Sequence, residues 1–227
     1  MSAYTVVIPA FNAEATLGDA IGSVLAQSVP PAAMVVVDDG STDGTAAVAE
    51  SFGGAVHLIT QANAGPGAAT TRGLREVSTP FVATLDADDL WLPEKAERQL
   101  AILRSKDGVS GLCAHVRLFA ASPDDPRQGR VLPGWSRTTI MMRAALFADV
   151  GAMIDPPGRR GEFIDWLARA RESGATIPMM DDVLALRRIR PGSLSSGRDP
   201  KRDRGYLHVV RQAMRRRRAA EGGSSAG

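Results

Sequence analysis

FVATLDADDLWLP, residues 81–93, is the stretch that decides the fold. Its first five residues form an apolar run, which predicts a buried strand. The run ends in three carboxylates, Asp86, Asp88 and Asp89, and a predicted helix follows. Carboxylates this close repel one another unless a positive group lies among them, and a Mg²⁺ or Mn²⁺ ion that carries a phosphate group would supply that charge. An isolated motif of this kind is more often a polar turn that ends in a helix cap, and the rest of the chain decides between the two interpretations.

Composition places the chain among globular proteins. Its 227 residues suffice for one large domain, or for one domain and a tail, and 44% of them are hydrophobic. Cys113 is the single cysteine, so neither a disulfide framework nor a cysteine metal site is expected, and a reducing cytoplasm fits. The N-terminal residues have no features of a signal peptide, and no apolar run approaches the length of a membrane span.

The charge is unevenly distributed along the chain. Between residues 187 and 218 there are 12 basic and 2 acidic residues, a balance of +10, which leaves −8 for the remainder of a chain whose net charge is +2. The acidic body argues against a nucleic-acid-binding domain. The basic segment, whose last part is a predicted amphipathic helix, is either a solvated arm or a surface that contacts an anionic membrane or an acidic acceptor.

The first 60 residues alternate between predicted strands and helices. Apolar runs at 4–10 and 34–40, and a shorter one at 57–60, are predicted to be strands. Between them, helices are predicted to begin near residues 17 and 45. This order indicates an α/β fold with a mostly parallel central sheet and helices on both faces.

Acidic and polar residues follow the predicted strands at their carboxyl ends. Asp38 and Asp39 end the second strand, the aspartates of residues 86–89 follow the strand at 81–85, and residues 9–12 follow the first. Ligands of open parallel sheets bind at these carboxyl ends. The pattern therefore predicts a crevice for a nucleotide-type ligand and a metal ion.

A glycine-rich turn at residues 65–67 precedes a predicted helix that carries Arg72 near its start. Such a turn lets the backbone approach a phosphate group, although a simple tight turn explains it as well. Neither the dinucleotide-binding glycine fingerprint nor a P-loop motif occurs, which argues against dehydrogenases and P-loop enzymes.

Four blocks in order, VVIPAFNAEATLGDAIGSVLAQS, VVVDDGSTDGT, NAGPGAATTRGL and FVATLDADDLWLPEK, resemble the family 2 glycosyltransferases of the GT-A fold. The resemblance covers residues 4–105. It implies a nucleotide-sugar donor, most often a UDP-sugar, with a Mn²⁺ or Mg²⁺ ion on its diphosphate. It also implies transfer with inversion at the anomeric carbon.

The resemblance assigns roles to individual residues of the donor half. Asp39 would hydrogen-bond the base, Asp38 would support its loop, and the block from Asn63 to Arg72, which includes Gly67, would close over the nucleotide. Asp86 and Ala87 would face the ribose and diphosphate, while Asp88 would hold the metal and Asp89 is the less certain third member. The base and ribose pocket would be lined by Pro9, Ala10, Asn12 and Glu14.

The second half departs from the family pattern in two places. The family's general base is commonly an aspartate at the start of a helix, but the corresponding stretch GEFIDW has Phe163 in that slot. Glu162 or Asp165, on the same helix face, are the candidates to replace it, unless both simply complement the helix dipole. Further on, Arg190 stands where the family often has a histidine, and it is expected to bind phosphate.

These readings divide the chain into three parts. Residues 1–105 are the expected nucleotide-sugar-binding half, 106–198 the acceptor-binding and catalytic half of the same domain, and 199–227 a basic C-terminal helix and tail. The acceptor stays open among saccharide, lipid carrier, small molecule and peptide, and oligomerisation stays open too. A second hypothesis, motivated by Phe163 and Arg190, is a catalytically weak nucleotide-sugar-binding domain that acts as a scaffold or partner protein.

Overall fold

The computed structural model describes residues 4–120, 129–189 and 200–223. These residues form nine strands, seven α-helices and one short 3₁₀ turn, Gly53–Ala55. In chain order the elements are β1 (Tyr4–Ala10), α1 (Leu17–Leu25), β2 (Ala33–Asp38), α2 (Thr45–Glu50), β3 (His57–Thr60), α3 (Pro66–Leu74), β4 (Phe81–Thr84), β5 (Leu90–Trp91), α4 (Lys95–Ser105), β6 (Gly111–Phe119), β7 (Val131–Gly134), β8 (Met141–Arg143), α5 (Ala144–Val150), α6 (Glu162–Glu172), β9 (Met179–Arg188) and α7 (Pro200–Gly223).

The first half of the sheet is parallel, as the strand–helix alternation predicted. Strands β3, β2, β1 and β4 lie side by side in that order, and every pair among them is parallel. β2, β3 and β4 each follow a helix that crosses back over the sheet, which is the connection that parallel strands require. The carboxyl ends of β1, β2 and β4 therefore meet at one edge of the sheet.

The second half of the sheet is mixed. β8 continues the sheet next to β4 in antiparallel orientation, and β6 follows it, again antiparallel. β9 pairs in parallel with β6 on one side and antiparallel with the two-residue β5 on the other. Residues 179–188 form one strand, which lies between β6 and β5. Its buried residues Leu184 to Leu186 explain that position.

Two apolar layers pack against the two faces of the sheet. Val6 and Ile8 of β1 point into a cluster with α1 and α4, whereas Val7 points into a second cluster with α3, α5 and α6. This alternation follows from the two-residue repeat of a strand, and it leaves no polar face on β1. Within the described part of the chain, no helix is long and apolar enough to cross a membrane.

Candidate active site

A cleft of about 570 Å³ opens at the carboxyl ends of β1, β2 and β4. More than half of the candidate site residues among those described line it, although they come from four separate segments of the chain. The helix start of α6 forms the opposite wall. The candidates that line the cleft are Pro9, Ala10, Asp39, Asp86, Ala87, Asp88 and Glu162.

Asn12 and Glu14 do not line the cleft but tie the loop after β1 to the loop after β2. The Asn12 amide oxygen accepts a hydrogen bond from the backbone N–H of Thr42 at 2.9 Å, and its own N–H donates to the Ser41 hydroxyl at 2.9 Å. The Glu14 carboxylate accepts from the backbone N–H of Gly44 at 3.1 Å. Both side chains therefore shape the edge of the cleft from behind, and a direct pocket role for them is not supported.

The two aspartates that end β2 have different partners. Asp38 accepts from the backbone N–H of Ser41 at 3.1 Å and from its hydroxyl group, so it holds its own loop. Asp39, which lines the cleft, accepts from the Gln61 amide at 2.8 Å and from the backbone N–H groups of residues 64 and 65 at 2.8 and 2.9 Å. A carboxylate has about four acceptor positions, so Asp39 retains capacity for one further donor in the cleft.

Pro66 and Ala69 in the first turn of α3 line the cleft, but a carboxylate of the protein occupies the N–H groups at this helix start. The backbone N–H groups of Gly67 and Ala68 each donate, at 2.9 Å, to the carboxylate of Asp155. A carboxylate at a helix N-terminus satisfies free N–H groups and complements the helix dipole. Arg72 points elsewhere and pairs with Glu76 at 3.4 Å. The approach of a phosphate group to the backbone N–H of Gly67 is not supported, because the Asp155 carboxylate already accepts from that group, and Arg72 does not line the cleft.

Asp89 has a structural environment that sets it apart from the other two aspartates. It is buried, accepts from the Thr138 hydroxyl at 2.5 Å, and accepts from the backbone N–H of Arg188 at 2.9 Å. Burial, together with the charges of Asp86 and Asp88, raises the pKa of Asp89 to about 8. Asp89 therefore joins the carboxylate loop to β9, and it is the member of the triplet least suited to hold a metal ion.

Arg137 lies between Asp86 and Glu162 and was not predicted from the sequence. Its Nε atom lies 2.8 Å from Asp86 Oδ1, and its Nη1 atom lies 2.8 Å from Glu162 Oε1. Burial lowers the pKa of the guanidinium, but the charges of Asp86 and Glu162 outweigh burial and raise it overall. A fixed cation therefore joins the loop after β4 to the start of α6.

Three side chains from three elements hold the segment that carries Arg137. The carbonyl groups of residues 137–139 accept, in order, from the Thr84 hydroxyl at 2.7 Å, the Trp91 indole N–H at 2.7 Å and the Gln99 amide at 2.9 Å. Buried carbonyl groups that are paired in this way fix the backbone. The position of Arg137 is thus set by the sheet and by α4, independently of its two acidic partners.

The α6 candidates separate in the structure. Asp165 is buried away from the cleft, where it pairs with Arg169 at 2.9 Å and with Arg216 of α7 at 3.0 Å. Phe163 lines the cleft and stacks on Trp166 with ring centres 6.2 Å apart. The prediction that Glu162 and Asp165 share one face of α6 is therefore not confirmed. Glu162 faces the cleft, whereas Asp165 faces α7.

Four arginines from two segments of the chain also line the cleft. Arg159 and Arg160 approach it from the loop before α6, and Arg187 and Arg188 from the end of β9. The Arg188 guanidinium also donates to the carbonyl of Asp88 at 3.1 Å, which holds the carboxylate loop. The basic run near residue 188 was visible in the sequence, but the contribution of residues 159 and 160 was not. Arg190, the predicted phosphate ligand, lies outside the described residues.

Comparison with known proteins agrees with this geometry. The sequence model described as Glycosyl transferase family 2 matches residues 5–150, which is more than half of the chain. The succinoglycan biosynthesis protein ExoU of Rhizobium meliloti is 29% identical over 221 residues, which cover 84% of this chain and 63% of ExoU. The chain spans smaller shares of other curated relatives. It therefore matches less than two thirds of the length of these proteins.

Solved structures share the fold at low sequence identity. The structure of Staphylococcus aureus TarS 1–349 in complex with UDP-GlcNAc superposes with a TM-score of 0.72 and 21% identity, covering 94% of this chain and 65% of TarS. The mannosyltransferase PcManGT of Pyrobaculum calidifontis, in complex with GDP-Man and Mn²⁺, gives a TM-score of 0.69 and 17% identity, covering 99% and 76%. Both likenesses extend over the mixed half of the sheet, which the family match reaches only in part.

Proposed function

The chain belongs to glycosyltransferase family 2, and we propose that it transfers a sugar from a nucleotide sugar to an acceptor with inversion at the anomeric carbon. The donor that we favour is a UDP-sugar, bound together with Mn²⁺ or Mg²⁺. The TarS and PcManGT structures, which contain UDP-GlcNAc in one case and GDP-Man with Mn²⁺ in the other, support the donor class.

One observation carries this proposal: residues from both halves of the chain meet in a single cleft. Pro9, Ala10 and Asp39 lie on its nucleotide side, the Asp86–Asp88 loop lies in the middle, and Glu162 lies across from it. A donor and an acceptor need such a two-sided site, because the reacting atoms must meet between them. We assign the base and ribose to Asp39 and its neighbours.

The carboxylates fit a metal ion that is shared with the donor. Within the described residues, no group of three or more His, Cys, Asp or Glu side chains is arranged to hold a metal. Asp88 lines the cleft, and we assign it as the ligand because it matches the metal-binding aspartate of the family's motif. One carboxylate with diphosphate oxygens is a usual set for Mg²⁺. When bound, the ion would act as a Lewis acid that stabilises charge on the leaving diphosphate.

Glu162 is the general base that we propose. It would accept the proton of the acceptor hydroxyl while that oxygen attacks the anomeric carbon. The bond from this carbon to the diphosphate oxygen breaks, and the nucleoside diphosphate leaves with the electron pair. Glu162 lines the cleft, where Arg137 lies 2.8 Å from its carboxylate, whereas Asp165 lies outside the cleft, paired with Arg169 and Arg216.

A second candidate function is a nucleotide-sugar-binding scaffold with little or no turnover. The observation that favours it is Phe163, whose apolar ring lines the cleft where the family commonly has a catalytic carboxylate. In either case we propose a cytoplasmic location, with which the buried, free Cys113 is consistent, and no nucleic-acid partner.

Three variants test the proposal. Isothermal titration of UDP with Mn²⁺ is expected to show binding to the wild type and its loss in Asp88→Asn. Hydrolysis of a panel of UDP- and GDP-sugars is then followed in the wild type, Glu162→Gln and Asp165→Asn. Turnover should fall by about 10²-fold or more in Glu162→Gln, as expected on removal of a general base, and persist in Asp165→Asn.

The other outcomes are equally informative. Loss of turnover in Asp165→Asn with retention in Glu162→Gln would refute the assignment of the base. Binding without turnover, for every donor and acceptor tried, would favour the scaffold. Equal binding of UDP by the wild type and Asp88→Asn would remove the metal role assigned to Asp88.

A further inference from the structure

The C-terminal helix α7 packs on α6 through one of its faces. Gly205 lies so close to the carbonyl of Arg160 that no side chain would fit between them, and Val209 is buried. Further along the same face, Arg216 pairs with Asp165 at 3.0 Å and with Glu172 at 2.6 Å. Residues 205, 209, 212 and 216 lie on one side of a helix with 3.6 residues per turn. The opposite side of α7 therefore points away from the protein.

That opposite side carries an apolar stripe. Leu207, Val210 and Met214 are 59%, 56% and 51% exposed. Their spacing of three and four residues places them in one line along the helix. Single exposed apolar residues are common on protein surfaces, but a continuous stripe opposite an already buried face indicates an interaction surface.

Exposed arginines flank the stripe. Between residues 204 and 219 the sequence contains six arginines and no acidic residue. Arg216 is turned toward α6, and the others are exposed. Around the helix axis, Arg211 and Arg218 lie on one side of the stripe and Arg217 lies on the other. The exposed arginines are Arg204, Arg211, Arg215, Arg217 and Arg218.

We infer that this outward face of α7 binds the surface of an anionic lipid bilayer. A helix with an apolar stripe between basic flanks lies in the membrane interface, where the stripe enters the acyl boundary and the arginines meet lipid phosphates. A second copy of the chain fits this face less well, because α7 against α7 would place arginines beside arginines. A nucleic acid would neutralise the arginines but leave the apolar stripe in water.

The position of Tyr206 gives this contact a consequence for the cleft. Tyr206 belongs to α7, next to Leu207, and it also lines the cleft. A membrane bound along α7 would therefore lie beside the mouth of the cleft. This inference goes beyond the transfer reaction and does not depend on it, since membrane binding is measured without donor or acceptor.

Co-flotation with lipid vesicles tests the inference on the full chain. The wild type is expected to float with vesicles of phosphatidylcholine and phosphatidylglycerol, and to float much less with phosphatidylcholine alone or at high salt. The variant Leu207→Glu/Met214→Glu removes the stripe, and Arg211→Gln/Arg215→Gln removes two flanking charges. Each variant is expected to lower the partition coefficient about tenfold or more. The stripe variant loses its apolar insertion, and the arginine variant loses the attraction of two charges to the anionic surface.

A charge-matched control removes two exposed arginines elsewhere, in Arg75→Gln/Arg104→Gln, and is expected to bind like the wild type. Thermal unfolding and circular dichroism establish that each variant is folded. Failure of the wild type to float with anionic vesicles overturns the inference, and so does undiminished binding by the stripe variant. A wild-type dimer that the stripe variant converts to a monomer, seen by analytical ultracentrifugation without lipid, would assign the face to a second copy instead.

Discussion

Replacement of Lys95 by methionine should change how stability depends on pH. Lys95 lies fully buried in α4, where its Nζ atom donates to Gln99 Oε1 at 2.8 Å and lies 3.9 Å from the centre of the Trp91 ring. Gln99 in turn donates to the carbonyl of Thr139, in the segment that carries Arg137. The buried amine is thus part of the support beneath the cleft.

The magnitude follows from the pKa of the amine. Burial lowers the pKa of Lys95 from 10.5 to about 7, and the nearby Cys113 opposes this only in part. Between these two values the unfolded chain binds a proton that the folded chain does not bind. As the pH falls from 10.5 toward 7, Lys95 therefore lowers the unfolding free energy by at most about 1.4 kcal/mol per pH unit. Above pH 10.5 this loss is absent.

The assay is urea unfolding of the wild type and Lys95→Met at pH 7.5 and pH 9. Over this interval the difference in unfolding free energy should move by up to about 2 kcal/mol in favour of the wild type. Burial raises the pKa values of Cys113 and Tyr4, which lowers stability at higher pH, but both residues are present in both proteins. Lys106→Met, at an exposed lysine, is the control and should show no such change. If the unfolding free energies of the wild type and Lys95→Met changed equally with pH, the lowered pKa of Lys95 would be contradicted.

Three further substitutions probe the positions that hold the site together. Arg137→Met leaves the buried Glu162 and the half-buried Asp86 without their cation and should lower the unfolding free energy by about 3–5 kcal/mol, so an unchanged urea midpoint would contradict the bridging geometry. Asp155→Ala removes the acceptor for two N–H groups at the start of α3 and should lower the unfolding free energy by about 1–2 kcal/mol. Asp155→Asn keeps one side-chain oxygen and should cost less. Equal losses in the two variants would mean that this oxygen is not the acceptor that stabilises the helix start. Gly205→Ala inserts a methyl group where none fits against the carbonyl of Arg160, so trypsin should cleave the C-terminal helix faster than in the wild type, and equal cleavage rates would argue against the packing of α7 on α6.

The donor side of the site was predictable because its signals are local. Asp39, Asp86 and Asp88 directly follow apolar runs, and parallel strands bring their carboxyl ends to one edge of the sheet. The prediction could therefore be made without knowing any long-range contact. The same rule applies to Pro9 and Ala10, which end β1 and line the cleft.

The rest of the site depends on contacts between distant residues that leave no mark on a single sequence. Arg137 meets Asp86 and Glu162 only because three hydrogen bonds from other elements fix its segment. Asp155 reaches the start of α3 from 88 positions away. The sequence places Asp165 near Glu162 at the start of a helix. It does not show that α7 packs there and brings Arg216 to Asp165. Periodicity gives the face of a helix but not the element that will cover it.

The central claim is that the cleft binds a nucleoside diphosphate and a divalent ion at Asp88. The most direct test is a crystal structure of the protein soaked with UDP and Mn²⁺, with anomalous scattering recorded for manganese. The account predicts a manganese peak beside the Asp88 carboxylate, with uridine on the side of Asp39 and Pro9. A nucleotide bound outside this cleft, or a peak that Asp88 does not touch, would contradict it.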